Sequence, residues 1–209
     1  MRVPKSVKTL EEFGRVQLSP SFFMRDFLYS EISQIERIPN IPEDPDLAIE
    51  VGKRLCIEIL EPIQSRFGRI SVRSAYRSRS VNGKGAENKN QYGCAKNEAN
   101  YAGHIWDHVD KNGHRGAMAC IVVGAFLPYY ERTSDWQALA WWIHDNLPAY
   151  SLMEFFPKLA AFNIAWHEQP SKSIYQRIPP QGWLTKPGMP NHSGSHEGAY
   201  REFLREVET

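Results

Sequence analysis

Residues 100–123, NYAGHIWDHVDKNGHRGAMACIVV, bring together His104, His108, His114, Asp107, Asp110 and Cys120, and then run into an apolar, β-branched segment. Imidazole, carboxylate and thiolate groups are the usual donors to zinc, and imidazole and carboxylate are the groups that most often move protons near neutral pH. A polar surface loop would account for any one of these histidines. The join argues for a site: a loop dense in ligand-type side chains opens directly onto a core strand, which is how a scaffold holds reactive groups rigidly.

The elements around this stretch must position it. Residues 117–123 read as a buried strand, and the apolar runs 152–156 and 162–166 read as an antiparallel pair. Leu47, Val51, Leu55, Ile59, Ile63 and Phe67 recur at every fourth position, so a helix is expected from 47 to 68, capped by Asp46, kinked by Pro62 and stopped by Gly68. Cys56 beside that stripe reads as a core thiol. A short amphipathic helix is expected over 22–31, after a turn at 18–21. Residues 35–46, with three prolines, read as an extended connector. Residues 69–73 alternate as a short strand and lead into a loop at 74–85. The stretch 86–101, with Asn88, Asn90, Asn97 and Asn100, reads as a long loop with at most a helical turn. Ser134 to Gln137 reads as a capping box for a helix that buries Trp136, Leu139, Ala140, Ile143 and Leu147 and ends at Pro148, with His144 near its C-terminal dipole. Past His167 the chain becomes rich in proline and glycine. The expected organisation is a polar lead-in (1–17), a single domain (18–178) and a C-terminal wrap (179–209) that closes with a short amphipathic segment.

Composition narrows the function. With 25 basic and 24 acidic residues there is no net field to recruit nucleic acid or an anionic membrane. No window approaches the length of a spanning helix, and the first residues lack the apolar core of a classical signal, so a cytoplasmic or phage- or virion-associated protein is expected. Three cysteines without tight pair spacing do not form a disulfide framework.

The order of features from LSPSFFMRDFLYSE through LEPIQSRFG to RISVRSAYRSRSVN, residues 18–82, resembles the zinc D-alanyl-D-alanine carboxypeptidases and phage endolysin peptidases, the Hedgehog-like metallopeptidase superfamily. The resemblance implies an α+β fold, a small antiparallel sheet with helices on one side. It also implies Zn2+ and a peptidoglycan stem peptide as substrate. That family carries S-x-H-x-x-G-x-A-x-D and, later, a W-H motif. Gly116 to Ile121 resembles the G-x-A-x-D-I portion with Cys120 where the aspartate stands, and Trp166-His167 resembles the last motif. The implied ligands are His104, Cys120 and His167, with His114 as the alternative first ligand.

The family's usual acid just before the last histidine is missing here, where Asn163, Ile164 and Ala165 precede Trp166. Glu154, on the partner strand, is the expected base, with Glu168 as the substitute. Arg77 matches the family's SGYRS arginine and is expected to hold carboxylate or oxyanion charge. Ser74, Tyr76 and Asn82 are expected beside it at the substrate. Asp107 is a candidate to orient His104, while His108, Asp110, His192 and His196 read as bystanders. Three functions follow: a zinc peptidase of cell-wall peptides, a non-catalytic module that keeps the fold and binds peptidoglycan or a protein, and a thiol enzyme built on Cys120. The last requires a low-pKa, accessible thiol at a position that reads as buried.

Overall fold

The computed structural model describes residues 1–87 and 92–207. Ser6 accepts the Thr9 N–H and starts helix α1 (Val7–Gly14), which buries Phe13. The lead-in therefore contributes to the core. Residues 22–31 do not form one helix: a 3-10 turn spans Met24–Phe27, and α2 (Glu31–Glu36) starts separately from Ser30. Ser30 supplies the side-chain acceptor that a continuous helix would bury in its middle. Asp44 caps α3 (Pro45–Leu55) in place of Asp46, its carboxylate accepting the Leu47 N–H at 3.1 Å. A π turn, Cys56–Leu60, joins α3 to α4 (Glu61–Phe67) just before Pro62. The wider turn accommodates a ring with no N–H to donate. Val51, Leu55, Ile59, Ile63 and Phe67 are buried as their spacing requires, as is Cys56.

Strand β1 (Ile70–Ser74) leads into α5 (Arg79–Glu87), which replaces the expected loop, and then α6 (Asn97–Asn100). Asn88 and Asn90 lie outside the described residues. Strand β2 (Gly116–Val123) is followed by α7 (Leu127–Thr133) and α8 (Gln137–Asn146). Asp135 caps α8, accepting the N–H groups of Gln137 and Ala138, while Ser134 closes α7 in a left-handed conformation. Strands β3 (Tyr150–Phe155) and β4 (Phe162–His167) form the expected pair; β5 (Ser173–Gln176), β6 (Gly182–Thr185) and α9 (Glu197–Val207) complete the chain.

The fold is α+β. Among the described residues the six strands form one sheet in the order β1-β2-β4-β3-β5-β6, antiparallel except where β5 runs parallel to β3. The sheet is larger than expected and mixed because the chain past His167 adds two strands on the far edge of β3. Its inward face carries Ala119, Ile121, Phe162, Ile164, Met153 and Phe155, all fully buried. Trp136 packs on Phe155 from the helical layer, and Trp142 and Phe203 pack on Phe67. The opposite parity makes an outward face. One row crosses five strands there, pairing Ser74 with Cys120, Cys120 with Asn163, Asn163 with Glu154, and Glu154 with Tyr175.

Candidate functional site

The outward row meets His104 and Arg77 at its β1–β2 end. His104 is delivered by the loop 101–115, which Trp106 anchors. Trp106 is fully buried, packs against Phe27 and Tyr76, and donates Nε1–H to the Met118 carbonyl at 3.1 Å. His104 Nδ1 lies 2.7 Å from the Ala75 carbonyl oxygen, a contact that assigns the proton to Nδ1. The ring also bonds the Asn163 side chain. Burial, reinforced by the Arg77 charge, pushes the His104 pKa down to about 3, so the ring is neutral near pH 7.

The Arg77 N–H donates to the His104 carbonyl at 2.8 Å, and its guanidinium reaches Cys94 Sγ at 2.8 Å. Arg77 Nε is buried and has no partner among the described residues. Burial lowers the Arg77 pKa and the thiols of Cys94 and Cys120 oppose that shift; an arginine keeps its charge in such surroundings. Burial raises Cys120 to about 11, against the pull of Arg73 and Arg77, which leaves a thiol near neutral pH. This does not meet the requirement for a thiolate nucleophile. Glu154 is already engaged: Asn163 Nδ2 donates to it at 3.0 Å and Arg177 Nε at 2.7 Å.

Several expected site residues have other roles. Ser74 is half-buried on the outward row beside Cys120. Tyr76 and Asn82 are fully buried, so neither meets a ligand on the surface. Tyr76 donates its hydroxyl to Asp107, and Asn82 ties α5 to Ala95, Asn97 and Asn100. The physical reason is that the chain after Ser78 turns into a helix that buries Val81, Asn82 and Gly85. Asp107 accepts the Glu43 N–H at 2.7 Å and does not reach His104 in any hydrogen bond. His108 stacks on Tyr101. His144 is buried against the Tyr150 hydroxyl and the His192 carbonyl, and burial lowers its pKa, opposite to the dipole-held charge expected. His196 lies flat on Trp141 at 3.8 Å and bonds Asp145 at 2.7 Å, fastening the C-terminal segment to α8.

His167 stands at the other end of the outward face. Its strand partner is Gly116, whereas Cys120 pairs with Asn163, so four residues, or about 13 Å, separate His167 from the Cys120 row. His104, Cys120 and His167 therefore do not converge on one point. The residue opposite Cys120 is an amide, which is a poor third ligand for zinc. His167 instead meets Asp110 and His114. These three half-buried residues each offer one ligand atom, all within 4.8 Å of one another. Glu168 is bound to Arg115, which donates its N–H at 2.7 Å and its Nε–H at 2.8 Å.

Asn163 was missed from the sequence as a site residue, and Asp110 was read as a bystander. Asn163 shares strand parity with His167, which places it on the outward face. Asp110 stands four residues before His114, a spacing that lets both reach one ligand. Comparison with protein-family models, curated proteins and solved structures returned no match to this chain.

Proposed function

We propose that this chain is a non-hydrolysing relative of the Hedgehog-like peptidoglycan metallopeptidases. It binds the C-terminal carboxylate of a stem-type peptide at Arg77, on the outward face of the sheet. The observation that carries this reading is the half-buried Arg77 guanidinium, bonded to Cys94 Sγ at 2.8 Å beside a neutral His104 and a protonated Cys120. A carboxylate suits the planar fork of arginine. Ser74, half-buried on the same row, offers a further polar contact to a peptide backbone.

The hydrolytic reading, zinc on His104, Cys120 and His167 with Glu154 as base, draws its support from residues 18–82. Against it stand the distance to His167, the amide at Asn163 and the pairing of Glu154 with Arg177.

Calorimetric titration with a peptide ending in D-alanyl-D-alanine separates the two. Saturable binding is expected that weakens about tenfold or more in Arg77→Met, is lost when the peptide terminus is amidated, and persists in Glu154→Ala. No D-alanine is released when zinc is supplied. Equal binding by Arg77→Met, or zinc-dependent release abolished by Glu154→Ala, overturns the proposal.

A further inference from the structure

We infer that Asp110, His114 and His167 form a zinc site that fastens the loop 101–115 to the end of β4. The inference is independent of the peptide-binding reading, since it uses no residue of the Arg77 cluster. Asp110 Oδ2 lies 3.6 Å from His114 Nδ1 and 3.3 Å from His167 Nε2. Ligands at about 2.1 Å from a tetrahedral zinc stand about 3.4 Å from one another. Octahedral ligands at similar bond lengths stand closer, about 3.0 Å apart. The two Asp110 spacings lie near the tetrahedral value, and the remaining pair of donor atoms lies within 4.8 Å. Two imidazoles also select against magnesium and calcium, which prefer all-oxygen shells.

The surroundings hold these atoms in place. Asp110 closes a turn with His114: its N–H donates to the His114 carbonyl at 2.8 Å, and Gly113 crosses the turn with φ +84°. Asp110 Oδ1 accepts the N–H groups of Asn112 at 2.8 Å and His114 at 2.9 Å, so one carboxylate oxygen is spent on the turn. The other faces the imidazoles. His167 Nδ1 lies 3.1 Å from the Gln169 carbonyl oxygen. Nδ1 also accepts the Gln169 N–H at 3.0 Å, so a metal on Nε2 would move the ring proton to Nδ1 and turn that contact over to the Gln169 carbonyl. Gly116 makes the approach possible, because a Cβ at that position would meet the Ala102 carbonyl at 2.3 Å and the His167 ring at 3.0 Å.

Three protein ligands leave a fourth position for water. The same loop carries His104 to Ala75 and Trp106 to the core, so an ion at its far end holds the whole segment against the sheet. Binding to the folded chain alone raises stability by mass action.

The test uses the full chain, stripped with a chelator and then titrated with zinc by calorimetry and with cobalt by absorption. Stoichiometric uptake is expected, with a zinc-dependent rise in Tm. Cobalt should give the visible bands of a tetrahedral nitrogen and oxygen site without a thiolate-to-cobalt charge-transfer band, and Cys120→Ser should leave both metals bound. Asp110→Asn keeps an oxygen acceptor for the turn, and His167→Gln keeps the strand; both should lose uptake and the Tm rise while melting like the wild type without metal. The inference is overturned if the wild type takes up no zinc, if both variants bind as tightly as the wild type, or if a charge-transfer band appears and vanishes in Cys120→Ser. Failure of peptide binding leaves these outcomes unchanged.

Discussion

At one end of the outward face Cys120, Asn163 and Glu154 sit on neighbouring strands; the Asn163 amide is engaged with His104 and Glu154, Glu154 with Arg177, and burial keeps Cys120 a thiol. At the other end Asp110, His114 and His167 come from a turn and a strand terminus, and their free donor atoms point at a common volume. Both clusters contain residue types that bind metals. What separates them is saturation. Strand register brings the first set into pairwise contact, and burial then favours the neutral His104 ring and the protonated Cys120 thiol. In the second set the turn satisfies one carboxylate oxygen and leaves the other available.

The largest expected effect removes what both ends share. Trp106→Ala empties a fully buried site beneath the loop and should cost about 3–5 kcal/mol in urea unfolding, while weakening both peptide and zinc binding.

The next isolates the saturated end. His104 is neutral in both folded and unfolded chains above its ordinary pKa of 6.5, so its contribution is fully present there. As pH falls, the unfolded ring gains a proton that the folded ring refuses until about pH 3. Between about pH 7 and about pH 4.5 the wild type should lose on the order of 3 kcal/mol more stability than His104→Gln. Equal losses would show that the ring is not held neutral.

A smaller effect sharpens the role of the Arg77 fork. Arg77→Lys retains charge but loses the fork and Nε, and should weaken the stem-type peptide about tenfold by calorimetry, or about 1.4 kcal/mol. The smallest effect belongs to the unsaturated end without its ion: metal-free Asp110→Asn should melt with the wild type, and the two should part only when zinc is added.

The core was legible in the sequence to the extent that it obeys a local period. The stripe from Leu47 to Phe67, strand β2 and the β3–β4 pair followed from spacing, and β-branched or apolar runs marked their faces. Helix α5 was read as a loop because Gly83, Lys84 and Gly85 favour turns, while its hold on the fold comes from the buried amide of Asn82 and its partners further along the chain. Strand β6 falls in the stretch read as irregular wrap, and no element was expected at β5, because short strands at a sheet edge carry little pattern of their own.

The sequence by itself determined that donor-type side chains cluster before strand β2, that Cys120 lies on that strand and that His167 lies on another. It also determined an odd, unpaired cysteine set and a charge balance near zero. Only the tertiary structure decided which donors meet. Strand pairing placed Asn163 opposite Cys120 and moved His167 about 13 Å away, because each residue along a strand advances about 3.3 Å and register is fixed by contacts between distant segments. A turn too short to show in a periodicity then supplied Asp110 and His114 as the partners of His167.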